Sequence, residues 1–400
     1  MNFSDPASRL NAYRFDLPEA LIAQVPVERR TASRLLRVTR GVGVRSEAAF
    51  ADLPDLLSPG DLLVVNDSRV LNARLRLRRD PGGGRVELLL VRPRAEGDWL
   101  AMARPVRRLR PGSRLVSEGE SGRTIRMDVV EVIGDGYVTV RVVDGSMTEL
   151  AARRGETPLP PYIKRDVDDS RSAALADLDR ERYQTVYARD KGSVAAPTAG
   201  LHFDEALLAT LAQRGIRMAR VTLHVGPGTF RPPVAADIDA RRLHEEYFVY
   251  AADVDAAVRE TRARGGRVIA VGTTALRVLE TVARLDLQVR TEAHVRWPDD
   301  DAAPPEFAGE AQRDDAGWRV SGFTRLFVLP PDRIASADGL ITNFHLPGSS
   351  LLMLIAAFTG QDVWRDVYDQ AIADGYRFYS YGDAMLILPD GERDEKESAP

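Results

Sequence analysis

No cysteine occurs anywhere in the 400-residue chain. Disulfide staples, thiolate metal ligands and cysteine nucleophiles are excluded together. Histidine is scarce as well. There are five, none with the His-x-x-x-His or His-Glu-x-x-His spacing that sets two imidazoles on one helical face. A cluster of His202, His224 and His345 drawn together by the fold stays open as an alternative; the expectation is no metal. Long apolar runs are also missing. The most apolar stretch, Leu351–Phe358, falls far short of the ~20 residues that span a bilayer. Met1–Asp16 carries no apolar signal segment. The expectation is a cytoplasmic protein with no membrane partner. The sequence also lacks a P-loop, a Gly-x-Ser-x-Gly elbow and the glycine-rich loop of a methyltransferase.

Lysine is nearly absent, at positions 164, 191 and 396 only, so arginine supplies the positive charge. A net charge of −4 does not suggest a nucleic-acid binder, but its distribution does. Residues 1–165 carry 28 Lys/Arg against 21 Asp/Glu, and the remainder 27 against 38. Within Arg69–Arg114 there are 13 arginines and four acids, with Arg107, Arg108 and Arg110 just before a Pro-Gly turn. Such a field attracts a phosphate backbone even on an acidic protein. Arginine as the chain's default cation explains the same count, and both readings stand at this point.

The pattern along the chain predicts an α/β main domain with a mixed sheet (1–72 plus 158–390), interrupted by an antiparallel β-barrel (73–157). Asp16-Leu-Pro-Glu19 reads as a cap and first turn, predicting a helix over 18–36. Gly60–Asn66 reads as a buried strand. Six short alternating segments follow, at 73–77, 85–91, 99–103, 113–116, 124–132 and 137–143. Asp80-Pro-Gly-Gly-Gly84, Pro111-Gly112 and Gly134-Asp-Gly136 punctuate them, and this regular spacing is barrel texture. Strand–loop–helix alternation then returns: a strand at 194–196 before the helix 204–214, a strand at 217–225, and a helix at 253–264. Strands at 267–271 and 340–342 precede helices at 274–283 and 349–358. The acidic stretch 298–317 reads as a flexible loop and 391–400 as a tail.

Polar clusters follow several of these strands, where open α/β sheets bind ligands. Pro197–Asp204 offers Thr198, a sharp path at Gly200, His202 as proton donor or acceptor, and Asp204 as cap of the next helix. A helix N-terminus would lower the pKa of His202 and leave it a usable base. His224-Val-Gly226-Pro-Gly228 makes a rigid loop that a ligand can approach closely. Thr273 and Thr274 stand where a strand turns into a helix and either cap it or hold an anion. Asn343 and His345 offer an amide and an imidazole. Asn66–Arg69, His244–Tyr247 and Tyr379–Asp383 mix polar and apolar groups without a specific spacing.

Taken in order, several segments resemble one family. They are Asn66-Asp-Ser-Arg-Val-Leu-Asn-Ala-Arg74, Leu159-Pro-Pro-Tyr-Ile-Lys-Arg165, Tyr183-Gln-Thr-Val-Tyr187 and Gly192-Ser-Val-Ala-Ala-Pro-Thr-Ala-Gly-Leu-His-Phe203. Val221-Thr-Leu-His-Val-Gly-Pro-Gly-Thr-Phe230, Val268-Ile-Ala-Val-Gly-Thr-Thr274, Thr342-Asn-Phe-His-Leu-Pro347 and Tyr376–Met385 complete the series. The chain resembles the S-adenosylmethionine:tRNA ribosyltransferase-isomerases of queuosine biosynthesis. The resemblance implies an α/β domain interrupted by a barrel. It implies no bound cofactor, with S-adenosylmethionine consumed as ribosyl donor. The acceptor would be 7-aminomethyl-7-deazaguanine in tRNA with a GUN anticodon, the product epoxyqueuosine, and the enzyme a monomer. A sulfonium beside C5′ acidifies that carbon, adenine needs a proton to leave, and the attacking amine must be neutral. His202, His224 and Asp204 are the expected proton-transfer groups. Thr198, Gly200, Gly226, Gly228, Thr273, Thr274, Asn343 and His345 are expected to hold the substrate, and Arg107, Arg108 and Arg110 the RNA. Two departures stand out: Pro330-Pro331-Asp332 replaces the family's Pro-Gly-Tyr, and Ala275 replaces a common serine. An altered substrate is expected if either shapes the site.

Overall fold

The computed structural model describes residues 10–117, 125–165, 172–299 and 305–390. Its centre is a set of short strands with no polar alternation. Leu62–Asn66, Val268–Val271 and Gly339–Asn343 are buried at every position. Strands covered on both faces read as continuous apolar runs, and these three lie parallel, with Val268–Val271 between the other two. The strand Arg217–Leu223 joins parallel on one side and Ala384–Leu388 antiparallel on the other. Eleven strands among the described residues extend this into one mixed sheet, with Arg34–Thr39 and Gly43–Ala49 at one edge and the antiparallel strands 242–250, 318–326, 307–313 and 294–297 running in that order to the other. Helices Glu205–Gln213, Ala252–Ala263, Thr273–Arg284 and Ser350–Thr359 accompany it.

The six barrel segments all form strands, and they close on themselves in the order 137–142, 99–104, 85–93, 74–80, 114–117, 125–134. Alternation explains the closure. Leu75, Leu77, Leu88, Leu90, Ala101 and Ala103 fill the interior, while Arg76 and Arg78 stay exposed. The chain enters and leaves the barrel through a paired neck. Arg74 N–H donates to the Glu156 carbonyl (3.2 Å), and Glu156 N–H donates to the Arg74 carbonyl (2.8 Å). A mixed-sheet α/β fold interrupted by an antiparallel barrel is therefore present.

Three expectations need correction. Residues 18–36 do not form a helix; short turns at Glu19–Leu21 and Arg30–Ala32 lead into the strand Arg34–Thr39. Pro26 interrupts the segment, and Leu35, Leu36 and Val38 are buried in a strand parallel to Ala384–Leu388. The strand expected at 194–196 lies at Asp190–Ser193, pairing with Ser68–Val70. The acidic stretch is not all loop. Phe307–Arg313 is a strand paired with Trp318–Leu326, its ring Phe307 packed on Phe248 and Trp297. Asp314 closes that hairpin by accepting from the N–H groups of Ala316 and Gly317. Residues 300–304 and 391–400 lie outside the described residues.

At the amino ends of the central strands a buried carboxylate replaces missing pairing. Asp61 accepts from Ser58 N–H (2.9 Å) and Arg267 N–H (3.1 Å) and pairs with the Arg267 guanidinium (2.6 Å). Removing one partner of a buried pair leaves an uncompensated charge. Asp61→Ala is therefore expected to lower the unfolding free energy by about 3–5 kcal/mol in urea titrations. A loss below about 1 kcal/mol would show that solvent screens the pair.

Candidate active site

The carboxyl ends of the parallel strands open onto one narrow cleft of ≈ 80 Å³. Each wall starts where a strand stops. Val271 leads to Gly272-Thr273-Thr274, Leu223 leads to Val225, and Asn343 ends its own strand. Thr198, Tyr162, Tyr183, His345, Tyr379 and Ser380 add to the polar lining. Three polar atoms in this cleft are buried without a hydrogen-bond partner: Asn343 Oδ1, Thr274 Oγ1 and Tyr183 Oη. Buried polar groups are nearly always satisfied, so three orphans around one cleft mark a place for a polar ligand. Tyr379 adds strain. Its φ of +72° lies in the left-handed region, which a bulky side chain rarely adopts without function.

A hydrogen-bond relay holds this wall from behind. Asn343 Nδ2 donates to the Tyr379 carbonyl (3.0 Å) and to His202 Nε2 (3.1 Å). The other ring nitrogen, Nδ1, pairs with Ser33 Oγ at 2.8 Å. The imidazole also stacks on Phe50, with ring centroids 5.0 Å apart. His202 thus has both nitrogens engaged and does not line the cleft. Burial, with the Arg30 and Arg377 guanidinium groups nearby, pushes its pKa down to about 3. The expected low pKa is present, but desolvation comes first and no helix N-terminus is needed.

The other expected groups separate by position. Asp204 caps the helix Glu205–Gln213 by accepting from Leu207 N–H at 2.8 Å. His224 packs its ring against Tyr247 and has a buried, unpartnered Nδ1. Burial lowers its pKa against the pull of Asp190 and Asp67. His345 does line the cleft, with Nε2 2.8 Å from Thr342 Oγ1, and burial pushes it down to about 3. Among the described residues no group of three or more His, Asp or Glu side chains converges on a metal-sized site, so the three histidines stay apart.

Gly200 and Gly228 answer to packing, whereas a Cβ on Gly226 would meet nothing nearer than 4.0 Å. A Cβ on Gly200 would sit 2.1 Å from Tyr187 Oη, and one on Gly228 2.3 Å from the His244 ring. The Gly226–Gly228 loop is fixed from below by Glu246, which accepts from Gly226 N–H (2.9 Å) and is ion-paired with Arg277. Burial alone would raise the Glu246 pKa, but Arg277, His244 and the Gly226 N–H hold it below the usual carboxylate range. Arg277 lies on the helix that begins at Thr273, so one buried pair sets both the glycine loop and the threonine wall. Asn66 works similarly, exchanging bonds of 3.0 Å with both backbone groups of Leu223.

Sequence reasoning gave no role to Tyr162 or Tyr183 and left Tyr379 and Ser380 in a candidate polar cluster without a specific spacing. All four stand inside the family-like segments, and their aromatic or hydroxyl character within polar surroundings was the available signal. Tyr162 Oη lies 2.7 Å from Ser380 Oγ, and its ring centroid is 4.5 Å from that of Tyr379. Burial pushes the Tyr162 hydroxyl up to about 12 and raises Tyr183 and Tyr379 further, so all three are neutral hydrogen-bonding groups. The two family departures fall elsewhere. Asp332 is ion-paired with Arg241 and Arg284, Ala275 is fully buried, and neither lines the cleft.

The two buried histidines fix the direction of a pH effect. Their folded pKa values of about 3 lie below the unfolded value near 6.5. The unfolded chain therefore binds their protons first as pH falls. Their stabilisation is complete above about pH 6.5 and is lost as pH falls towards 3, at roughly 1.4 kcal/mol per pH unit for each histidine. His202→Gln should make the acid limb shallower by one such increment in urea titrations between about pH 6.5 and 4. Parallel limbs for parent and variant would contradict a neutral buried His202.

The sequence model of one family, described as queuosine biosynthesis protein, matches residues 10–387. A relative from Anaeromyxobacter dehalogenans (strain 2CP-C) is 45% identical over 386 residues, covering 95% of this chain and 99% of that protein. One from Synechococcus sp. (strain RCC307) is 45% identical over 392 residues, covering 96% and 98%. Both are named S-adenosylmethionine:tRNA ribosyltransferase-isomerase. A crystal structure of S-adenosylmethionine tRNA ribosyltransferase from Thermotoga maritima is 31% identical, covers 94% of this chain and 100% of its own, and superposes with a TM-score of 0.48. With the family match spanning nearly the whole chain and relatives this close along their full length, the chain belongs to the queuosine biosynthesis protein family.

Proposed function

We propose that this protein transfers and isomerises the ribosyl moiety of S-adenosylmethionine onto 7-aminomethyl-7-deazaguanine in tRNA with a GUN anticodon. The product is epoxyqueuosine-tRNA, and adenine and methionine are released. S-adenosylmethionine is a substrate that is consumed, and no bound cofactor takes part. The enzyme works as a monomer in the cytoplasm; no helix among the described residues is long and apolar enough to cross a membrane. The names of the relatives support this reading. The observation that carries it is the set of unpartnered polar atoms on Asn343, Thr274 and Tyr183 around one cleft at the strand ends. A nucleoside with an amino acid side arm supplies several donors and acceptors and matches such a lining.

Each side chain takes a role from its position. Thr198, Thr273, Thr274 and Asn343 hold substrate. His345, the histidine among the described residues that lines the cleft, holds substrate as a neutral, hydrogen-bonding imidazole. His202 is a positioning residue that acts through Asn343. Gly200, Gly226, Gly228, His224 and Asp204 shape the loops and helix around the site. The placement of Asp332 and Ala275 away from the cleft favours this substrate over an altered one.

The decisive assay measures adenine release from S-adenosylmethionine. It is expected with tRNA carrying the 7-aminomethyl base and not with unmodified tRNA; equal release from both would overturn the proposal. Thr274→Val tests the cleft separately. Removing an unpartnered buried hydroxyl is expected to leave stability unchanged or higher. Losing one hydrogen bond to substrate should raise the KM for S-adenosylmethionine about tenfold. An unchanged KM would remove Thr274 from the site.

RNA binding by Arg107, Arg108 and Arg110 is part of the proposal. All three are exposed on the turn between barrel strands 99–104 and 114–117. Arg107→Ala with Arg108→Ala should reduce the slope of log affinity against log salt by roughly 0.7 for each phosphate left unneutralised. An unchanged slope would assign these arginines to composition alone.

A further inference from the structure

A second depression, larger than the cleft, lies between the barrel and the segments 157–165 and 173–180. Its volume is ≈ 1210 Å³. One wall is the outer face of strands 74–80 and 85–93, which presents Arg76, Arg78 and Arg85. The other is formed by those two segments, with Lys164, Arg165 and Arg180. Counting Arg74, seven cationic side chains line it against the three carboxylates Glu87, Glu156 and Asp179. Four of the seven cations are already ion-paired: Arg76 with Glu156 and Arg165 with Asp179 at 2.7 Å each, Arg180 with Asp177 at 2.9 Å, and Lys164 with Glu19, the last two acids lying outside the lining. On a chain of net charge −4 this is a local excess of the opposite sign.

Two features relate this groove to the proposed reaction. The first is spacing. Arg74, Arg76 and Arg78 are alternate residues of one strand, so they repeat every ~6.8 Å on one face. That pitch is comparable to the separation of successive phosphates along a nucleic-acid strand. Arg79, the next residue, donates to the Arg108 carbonyl at 3.4 Å and ties the exposed arginine turn to the same strand. The second is a shared wall. Leu159–Arg165 separates the groove from the cleft, with Lys164 and Arg165 facing the groove and Tyr162 facing the cleft beside Tyr379. Single-stranded RNA is read by splaying a base onto aromatic side chains while cations track the backbone.

We propose that this groove is the path of the RNA backbone, and that a base unstacked from the loop crosses the 159–165 wall to enter the cleft beside Tyr162. The inference rests on the function proposed above and specifies where its RNA substrate lies. Direction of entry follows from the geometry: the phosphates lie on the barrel side of the wall and the reacting base on the main-sheet side.

The test uses the full chain and an unmodified RNA stem–loop with a GUN anticodon as probe, with affinity measured by fluorescence anisotropy over a range of salt. The variant carries Arg78→Ala, Arg85→Ala and Arg180→Ala, all at exposed positions outside the cleft. Its melting temperature checks that it folds. The salt slope should fall by roughly 2, about 0.7 for each phosphate left unneutralised. With tRNA bearing the 7-aminomethyl base, KM for RNA should rise at least tenfold while kcat and the KM for S-adenosylmethionine stay within twofold. An unchanged salt slope and an unchanged KM for RNA would overturn the groove while leaving the reaction standing. A parent that binds the stem–loop through the groove but releases no adenine would instead sustain the groove and overturn the reaction.

Discussion

Everything near the site depends on three short strands ending at the same level. Leu62–Asn66, Val268–Val271 and Gly339–Asn343 are buried on both faces, so their register is fixed by packing from above and below as well as by hydrogen bonds. A one-residue slip would turn apolar side chains of the central layer to the wrong face and carry Asn343 out of the cleft. Asp61 and Arg267 hold the amino ends, and Asn66 holds the carboxyl end by pairing with Leu223. The cleft inherits its geometry from this arrangement.

The polar groups around the cleft divide into those that face it and those that hold them. Asn343 belongs to both sets: its Nδ2 is engaged by His202 and the Tyr379 carbonyl, while Oδ1 is left unpartnered. Glu246 and Arg277 form a parallel support under the glycine loop and the threonine wall. A buried ion pair is weak evidence for stability, since its desolvation opposes its attraction. Here it joins a strand, a helix and a loop from three parts of the chain, and its evident consequence is geometric.

Much of this was legible in the sequence. The six barrel segments announced themselves by alternation and turn residues, because an interior of side chains with a solvated exterior imposes period two. The polar clusters after strands were legible for the same topological reason. What could not be read was which face of a loop each side chain takes. His202 carries the chemistry expected of a base, yet Phe50 and Ser33 enclose it from a segment over 150 residues away. Gly200 and Gly228 promised ligand approach, but they admit Tyr187 and the His244 ring. The segment 18–36 began with helix-starting residues, and tertiary pairing of Arg34–Thr39 with Ala384–Leu388 overrode them. Phe307–Arg313 was hidden by the acids that flank it.

The paired neck at Arg74 and Glu156 has a consequence for how the chain closes. Strands 62–66 and 217–223 are neighbours in the sheet, so their pairing must enclose the whole barrel. With the barrel strands joined to one another and the neck bonded, the excursion is short-circuited, and roughly half of the intervening chain drops out of the loop. Loop-closure entropy rises only logarithmically, by about 0.6 kcal/mol for each doubling of length. The main sheet therefore carries the barrel at a topological cost of less than about 1 kcal/mol, small enough for one loop to accommodate a complete second fold.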